Sequence, residues 1–169
     1  ILLQKIIIIS IIFHKFHSIK LEDSMNNEPM IITMVCNKGG VGRSTTTINV
    51  GWKLAELGFK TLIVDLDAQC NTSMTLAQDY VNDIARSTNN LTACINDENG
   101  YFYSHKVETR HPNLDLLGAT ILLDETEENM KQQAIPTHIL ESRLDQQAKE
   151  YYDYILFDTP PSKHSKLLH

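Results

Sequence analysis

The stretch Met30 to Thr45, MIITMVCNKGGVGRST, decides how the rest of the chain is read. Its first part, Met30 to Cys36, is short, apolar and rich in β-branched side chains, the pattern of a strand. The strand runs into Lys38-Gly39-Gly40-Val41-Gly42-Arg43-Ser44-Thr45, which puts three glycines within four positions. From Ser44 to Leu57, the residues Ile48, Trp52, Leu54, Ala55 and Leu57 fall at roughly helical spacing, and Gly58 stands where a left-handed cap ends a helix. Trp52 is expected in the core. A strand, a glycine turn and a helix in this order let backbone N–H groups converge on an anion, and the positive end of the helix dipole adds to the attraction. A serine at the loop exit can offer its hydroxyl to Mg2+. The plain alternative is a glycine-rich loop that only turns the chain. It leaves unexplained the two flanking cations and the Ser44-Thr45 pair.

Working outward, Lys60 to Leu66 reads as a second strand, Asn113 to Gly118 as a third, Ile135 to Glu150 as an amphipathic helix and Tyr154 to Phe157 as a fourth strand ending at Asp158. Alternating apolar strands and helices predict an α/β fold in which a parallel sheet is covered by helices on both faces. Asp79 to Arg110 is polar, with Asn89-Asn90 and Asn99-Gly100 as turn signals, and carries little periodicity. The acidic run Asp124 to Glu128 reads as a solvated helix face. Two strand ends deliver carboxylates: Asp65 and Asp67 after the second strand, and Asp158 after the fourth. Solvated turn residues would look the same, but beside a phosphate loop a metal or water-positioning role gains weight.

The composition fits one soluble domain: 169 residues, 42% hydrophobic and 21% charged, with mean hydropathy -0.22. A formal charge of -6 excludes a broad basic surface for nucleic acid, so DNA binding would need a local patch. Cys36, Cys70 and Cys94 form no C-x-x-C pair, which supports neither a disulfide framework nor a zinc site and fits a reducing cytosol. The first residues differ from the rest. Ile1 to Phe13, ILLQKIIIISIIF, is too short to span a bilayer. It has the length of a secretion signal but no small-x-small cleavage site before Glu22. Residues 1–24 are expected to precede the natural start, with Met25 as a plausible first residue.

The phosphate loop departs from G-x-x-x-x-G-K-[ST] at two places, Asn37 and Arg43. Lys38 to Thr46, KGGVGRSTT, resembles the deviant Walker A loop of the ParA/MinD family, which normally has lysine at the position of Arg43. Asp65-Leu66-Asp67-Ala68-Gln69-Cys70-Asn71 is similar to the D-L-D-P-Q-G-N segment of the ParA (Soj) partition branch. Tyr152 to Ser162, YDYILFDTPPS, is similar to that family's Walker B segment. The resemblance covers roughly Pro29 to Ser162. MinD is a weaker match in the second block, and the nitrogenase iron protein is weaker still, because no cysteine here carries a cluster-ligand pattern.

The resemblance implies a P-loop NTPase-like fold and a site for ATP and Mg2+. Lys38, Gly39, Gly40, Val41, Gly42, Arg43, Ser44 and Thr45 would bind the nucleotide, with Ser44, Asp65 and Asp158 at or behind the metal. Asp67 would position the attacking water, and Lys38 would reach across a nucleotide-sandwiched dimer. It further implies a cytoplasmic ATPase of chromosome or plasmid partitioning. Such a protein forms an ATP-dependent homodimer, meets a ParB-like partner and holds DNA without sequence preference through a C-terminal half. No membrane contact is expected. Residues 25–162 correspond to the N-terminal part of such a domain, truncated after the Walker B strand, and residues 163–169 depart from the family pattern as an aberrant tail. In the family's strand order the Walker A strand would be left with an unpaired edge. Two alternatives stand beside this reading: an inactive remnant or non-catalytic nucleotide-binding regulator, and a MinD-like regulator, which would need a C-terminal amphipathic helix.

Overall fold

The computed structural model describes residues 28–36, 38–77, 87–132 and 138–161. The strands are β1 (Met30–Met34), β2 (Thr61–Asp65), β3 (Val107–Glu108), β4 (Leu114–Leu117) and β5 (Tyr154–Asp158). They form one sheet in the order β1-β5-β2-β4-β3. All pairings are parallel except β3 with β4. The helices are α1 (Arg43–Glu56), α2 (Asn71–Leu76), α3 (Leu91–Asn96), α4 (Phe102–His105), α5 (Leu123–Gln132), α6 (Ile139–Arg143) and α7 (Gln146–Tyr151).

β2 and β5 are buried at every position, as strands covered on both faces must be. Their side chains alternate between two cores. Leu62, Val64, Ile155 and Phe157 pack with α3, α5, α6 and α7 residues such as Cys94, Met130, Leu140 and Ala148. Ile63, Tyr154 and Leu156 pack with Leu54 and Ala55 of α1 and Leu76 of α2. Helix α1 lies close to β2 because Gly51 has no side chain: a Cβ there would stand 2.6 Å from Ile63 Cδ1. Gly58 ends α1's descent at φ +93, and its N–H donates to the carbonyl of Ala55.

The expected α/β sheet with helices on both faces is present, and β1 pairs with β5 alone among the described residues. Two expectations change. The helix read over Ile135 to Glu150 is broken: Leu144 and Asp145 are non-helical between α6 and α7. The break follows from side-chain anchors, because Arg143 donates to the carbonyls of Ile95 and Glu98 and Asp145 Oδ1 accepts from the Tyr103 N–H. Trp52 is not core; it is 37% exposed, meets the His111 ring edge-on and donates to Glu56. The polar stretch from Asp79 to Arg110 contains α3, α4 and β3 within its described part. Asp124 and Glu125 are exposed on α5, as a solvated face requires. Residues 1–24 and 163–169 lie outside the described residues.

Candidate functional site

At the C-terminal end of the parallel strands, the loop from Gly39 to Thr45 faces the β2–α2 turn across a cleft of about 430 Å3. Loop residues line one side, and Asp67, Gln69, Asn71 and Thr75 line the other. Gly40 and Gly42 hold φ +73 and +85, a left-handed conformation that side chains with a Cβ rarely adopt. At Gly39, Gly40 and Gly42 a Cβ would meet nothing within 4 Å, so the space before the loop amides is open. Helix α1 begins without a side-chain cap and with no acidic residue in its first turn. By contrast, Asn90 caps α3 by accepting from the Ala93 N–H. An uncapped start on a 14-residue helix, preceded by two left-handed glycines, suits a phosphate anion.

Lys38 is exposed beside the loop. Ser44 and Thr45 line the cleft at the first turn of α1. Arg43 also borders the cleft, but two of its guanidinium nitrogens are committed to backbone carbonyls. Its Nε donates to the Thr159 carbonyl at 2.9 Å and its Nη1 to the Cys36 carbonyl at 2.7 Å, which ties the start of α1 to the chain just beyond β5 and β1. Thr159 continues the tie through its hydroxyl, which donates to the Met34 carbonyl.

Asp67 is nearly buried yet lines the cleft. Its turn is tightly bonded: the Gln69 N–H donates to Asp67 Oδ1 at 2.9 Å and the Cys70 N–H to the Asp67 carbonyl. Asp65 and Asp158 do not line the cleft. Both are fully buried and are register partners on β2 and β5. Asp158 accepts from Thr47 at 3.2 Å and from Thr72 at 2.6 Å. Asp65 Oδ2 accepts from the N–H and hydroxyl of Ser73 at 2.9 and 2.7 Å, and its Oδ1 accepts from the Asp67 N–H at 3.1 Å. Burial pushes the Asp65 carboxyl up to about 6, with the hydrogen bonds from Ser73 and Asp67 opposing and the nearby Asp158 charge adding. Burial likewise pushes the Cys70 thiol up to about 11, with the charges of Asp65 and Asp67 adding.

The hydroxyls of Thr47, Thr72, Ser73 and Thr159 were not legible as site residues. In one sequence, Thr72 and Ser73 after Asn71 look like any polar helix start. Only their spacing from Asp65 hints that the same carboxylates could receive them.

Together the strand-loop-helix cradle and the strand-end carboxylates define a P-loop NTPase-like protein. The chain belongs to the family whose model, described as AAA domain, matches residues 29–167. Soj of Bacillus subtilis, the sporulation initiation inhibitor protein, is 35% identical over 135 residues, covering 78% of this chain and 50% of Soj. A plasmid partition protein from Borrelia burgdorferi superposes with TM-score 0.69 at 28% identity, over 83% of this chain and 59% of that one. Cobyrinic acid a,c-diamide synthase from Mycobacterium smegmatis, with bound ATP analog and magnesium, superposes with TM-score 0.68 at 26% identity, over 83% and 55%. The chain spans about half the length of the curated relatives it matches. Among the described residues no helix is long and apolar enough to cross a membrane.

Proposed function

We propose that this chain carries the nucleotide-binding half of a ParA-type ATPase of chromosome or plasmid partitioning, and that its cleft binds Mg-ATP and hydrolyses it. The observation that carries the reading is the cradle itself: two left-handed glycines open toward solvent before an uncapped helix start. Gly39 to Gly42 present amides to the phosphates, Ser44 offers its hydroxyl to the metal and Thr45 lies on the α-phosphate side. Mg2+, when bound with the triphosphate, draws charge from the phosphate oxygens. Asp65 and Asp158 support that site from behind the loop by their charge. Asp67, rigid in its turn and facing the cleft, orients a water for in-line attack. Lys38, exposed at the loop's start, reaches the phosphates of a second subunit in an ATP-dependent homodimer. The complete protein holds DNA without sequence preference, meets a ParB-like partner and works in the cytoplasm.

The test is Mg2+-dependent phosphate release from ATP by the chain, compared with Asp67→Ala. Turnover lost in Asp67→Ala, with nucleotide binding kept, supports the reading; equal turnover in both proteins refutes it.

A second reading, a nucleotide-binding regulator without turnover, is favoured by one observation. The Arg43 guanidinium, at the edge of the cleft, has its Nε and Nη1 committed to the Thr159 and Cys36 carbonyls, where the family's lysine would be free for phosphate. Mg-ATP binding without phosphate release would select it.

A further inference from the structure

Neighbouring residues of the short helix α2 meet neighbouring carboxylates of the sheet. Asp65 and Asp158 stand side by side in register on β2 and β5, both fully buried. Thr72 donates its hydroxyl to Asp158 at 2.6 Å, and Ser73 donates its hydroxyl to Asp65 at 2.7 Å. Both hydroxyl residues are themselves fully buried. Each bond has a further connection. The Ser73 oxygen also accepts from the Ala119 N–H at 2.8 Å, which joins α2 to the end of β4. Asp158 also accepts from Thr47 on α1, which joins α2 to the helix that follows the phosphate loop. Asp65 turns its other oxygen to the Asp67 N–H.

Between these anchors lies the turn Asp67 to Cys70. Cys70 holds φ +55, the one non-glycine left-handed residue among those described. A short turn with such a residue keeps its shape only when both ends are fixed. One end continues directly from β2; the other enters α2.

We infer that Thr72 and Ser73 are positioning residues, whose hydroxyls latch the Asp67–Cys70 turn onto Asp158 and Asp65 and so set where Asp67 stands in the cleft. The inference rests on the role proposed above for Asp67, but the latch has a readout that needs no turnover. Cys70 is half-buried in the latched turn and reports its opening through alkylation of the thiol.

Site-resolved alkylation by iodoacetamide, read by mass spectrometry on the Cys70 peptide, compares the parent chain with Thr72→Val, Ser73→Ala and Thr72→Ser. Loss of one buried hydroxyl bond is expected to raise the Cys70 rate roughly tenfold in the first two variants. Thr72→Ser, which keeps the hydroxyl, is expected to restore the parent rate. Where turnover is measured, the first two variants lower kcat and leave KM unchanged. Parent-like Cys70 rates in both hydroxyl-deleted variants overturn the latch, as does an unchanged kcat in both. Hydrogen exchange of the unaltered chain needs no variant to fold. The Asp67, Ser73 and Ala119 amides, all bonded within the latch, are expected to exchange as slowly as those of β2, and fast exchange at all three also overturns it. Absence of ATP hydrolysis with these protections present would refute the proposed activity and leave the latch standing.

Discussion

Asp65 and Asp158 are partners across two adjacent parallel strands, and neither carboxylate reaches the cleft directly. The structure commits each to hydroxyl donors on the helices that flank the cleft, Ser73 for Asp65 and Thr47 and Thr72 for Asp158. Burial away from water is what pushes the Asp65 carboxyl up to about 6, against the hydrogen bonds it accepts from Ser73 and Asp67, and the neighbouring Asp158 charge adds a smaller push.

That shift sets a pH dependence. Asp65 binds its proton more tightly in the folded chain than at its ordinary value of 3.8. Between those two values the folded state therefore holds more protons at this group than the unfolded one. Its contribution to stability is present below about pH 4 and is lost as pH rises through about 6. Asp65→Asn removes the titration. Relative to the parent, its stability should improve by up to about 3 kcal/mol between pH 4 and pH 7. Urea unfolding of both proteins across that range checks the slope, and a constant difference contradicts the assignment.

Arg43→Lys should tighten Mg-ATP binding and slightly loosen the fold. The guanidinium spans two carbonyls, Cys36 and Thr159, and a single ammonium cannot keep both in the same geometry. Freed from that tie, a lysine can turn toward the phosphates, for a gain of about 1.5 kcal/mol or roughly tenfold in Kd. The lost carbonyl bond costs about 1 kcal/mol of stability. Calorimetric titration with Mg-ATP measures the first effect and thermal unfolding the second. Equal Kd values for the two proteins would show that Arg43 already does what a lysine would.

Gly51→Ala tests the packing of α1 on the sheet. Alanine favours the helix by roughly 0.5–1 kcal/mol. However, its Cβ would crowd the buried Ile63 side chain, 2.6 Å from Cδ1 and 3.1 Å from Cγ1, and such overpacking costs about 1–3 kcal/mol. The variant should be less stable by about 1 kcal/mol, because overpacking outweighs the helix gain. On an Ile63→Val background, which removes Cδ1, the same substitution should become neutral or stabilising. Destabilisation of equal size on both backgrounds would place the strain elsewhere.

Much of this architecture was legible in the sequence because its parallel strands are written as continuous apolar runs that end in Asp65 and Asp158, and because the glycine loop stands between a strand and a helix. Gly58 marked the helix end for a local reason, its left-handed backbone. What was not legible depends on distant partners. The break at Leu144 and Asp145 follows from bonds that Arg143 and Asp145 make to α3 and to Tyr103, more than 40 positions away. Trp52 fits the apolar periodicity of its helix but lies at the edge of that face, where His111 rather than the core meets it. β3 is two residues long and antiparallel, too short to carry a period. In the site, the loop glycines announced themselves, whereas the hydroxyls that fix Asp65 and Asp158 took their meaning only from the fold.

The central claim is that the cleft between the Gly39–Thr45 loop and the Asp67 turn binds Mg-ATP. Thermal unfolding of the chain with and without millimolar Mg-ATP tests it most directly, because a ligand that binds only the folded state raises the midpoint by mass action. At a concentration of about 100 times Kd the stabilisation is about 2.7 kcal/mol, an upward shift of roughly 5–10 °C for a domain of this size. That upward shift is the expected result, and it should shrink when EDTA removes the metal. A cooperative transition whose midpoint is indifferent to Mg-ATP would contradict the claim.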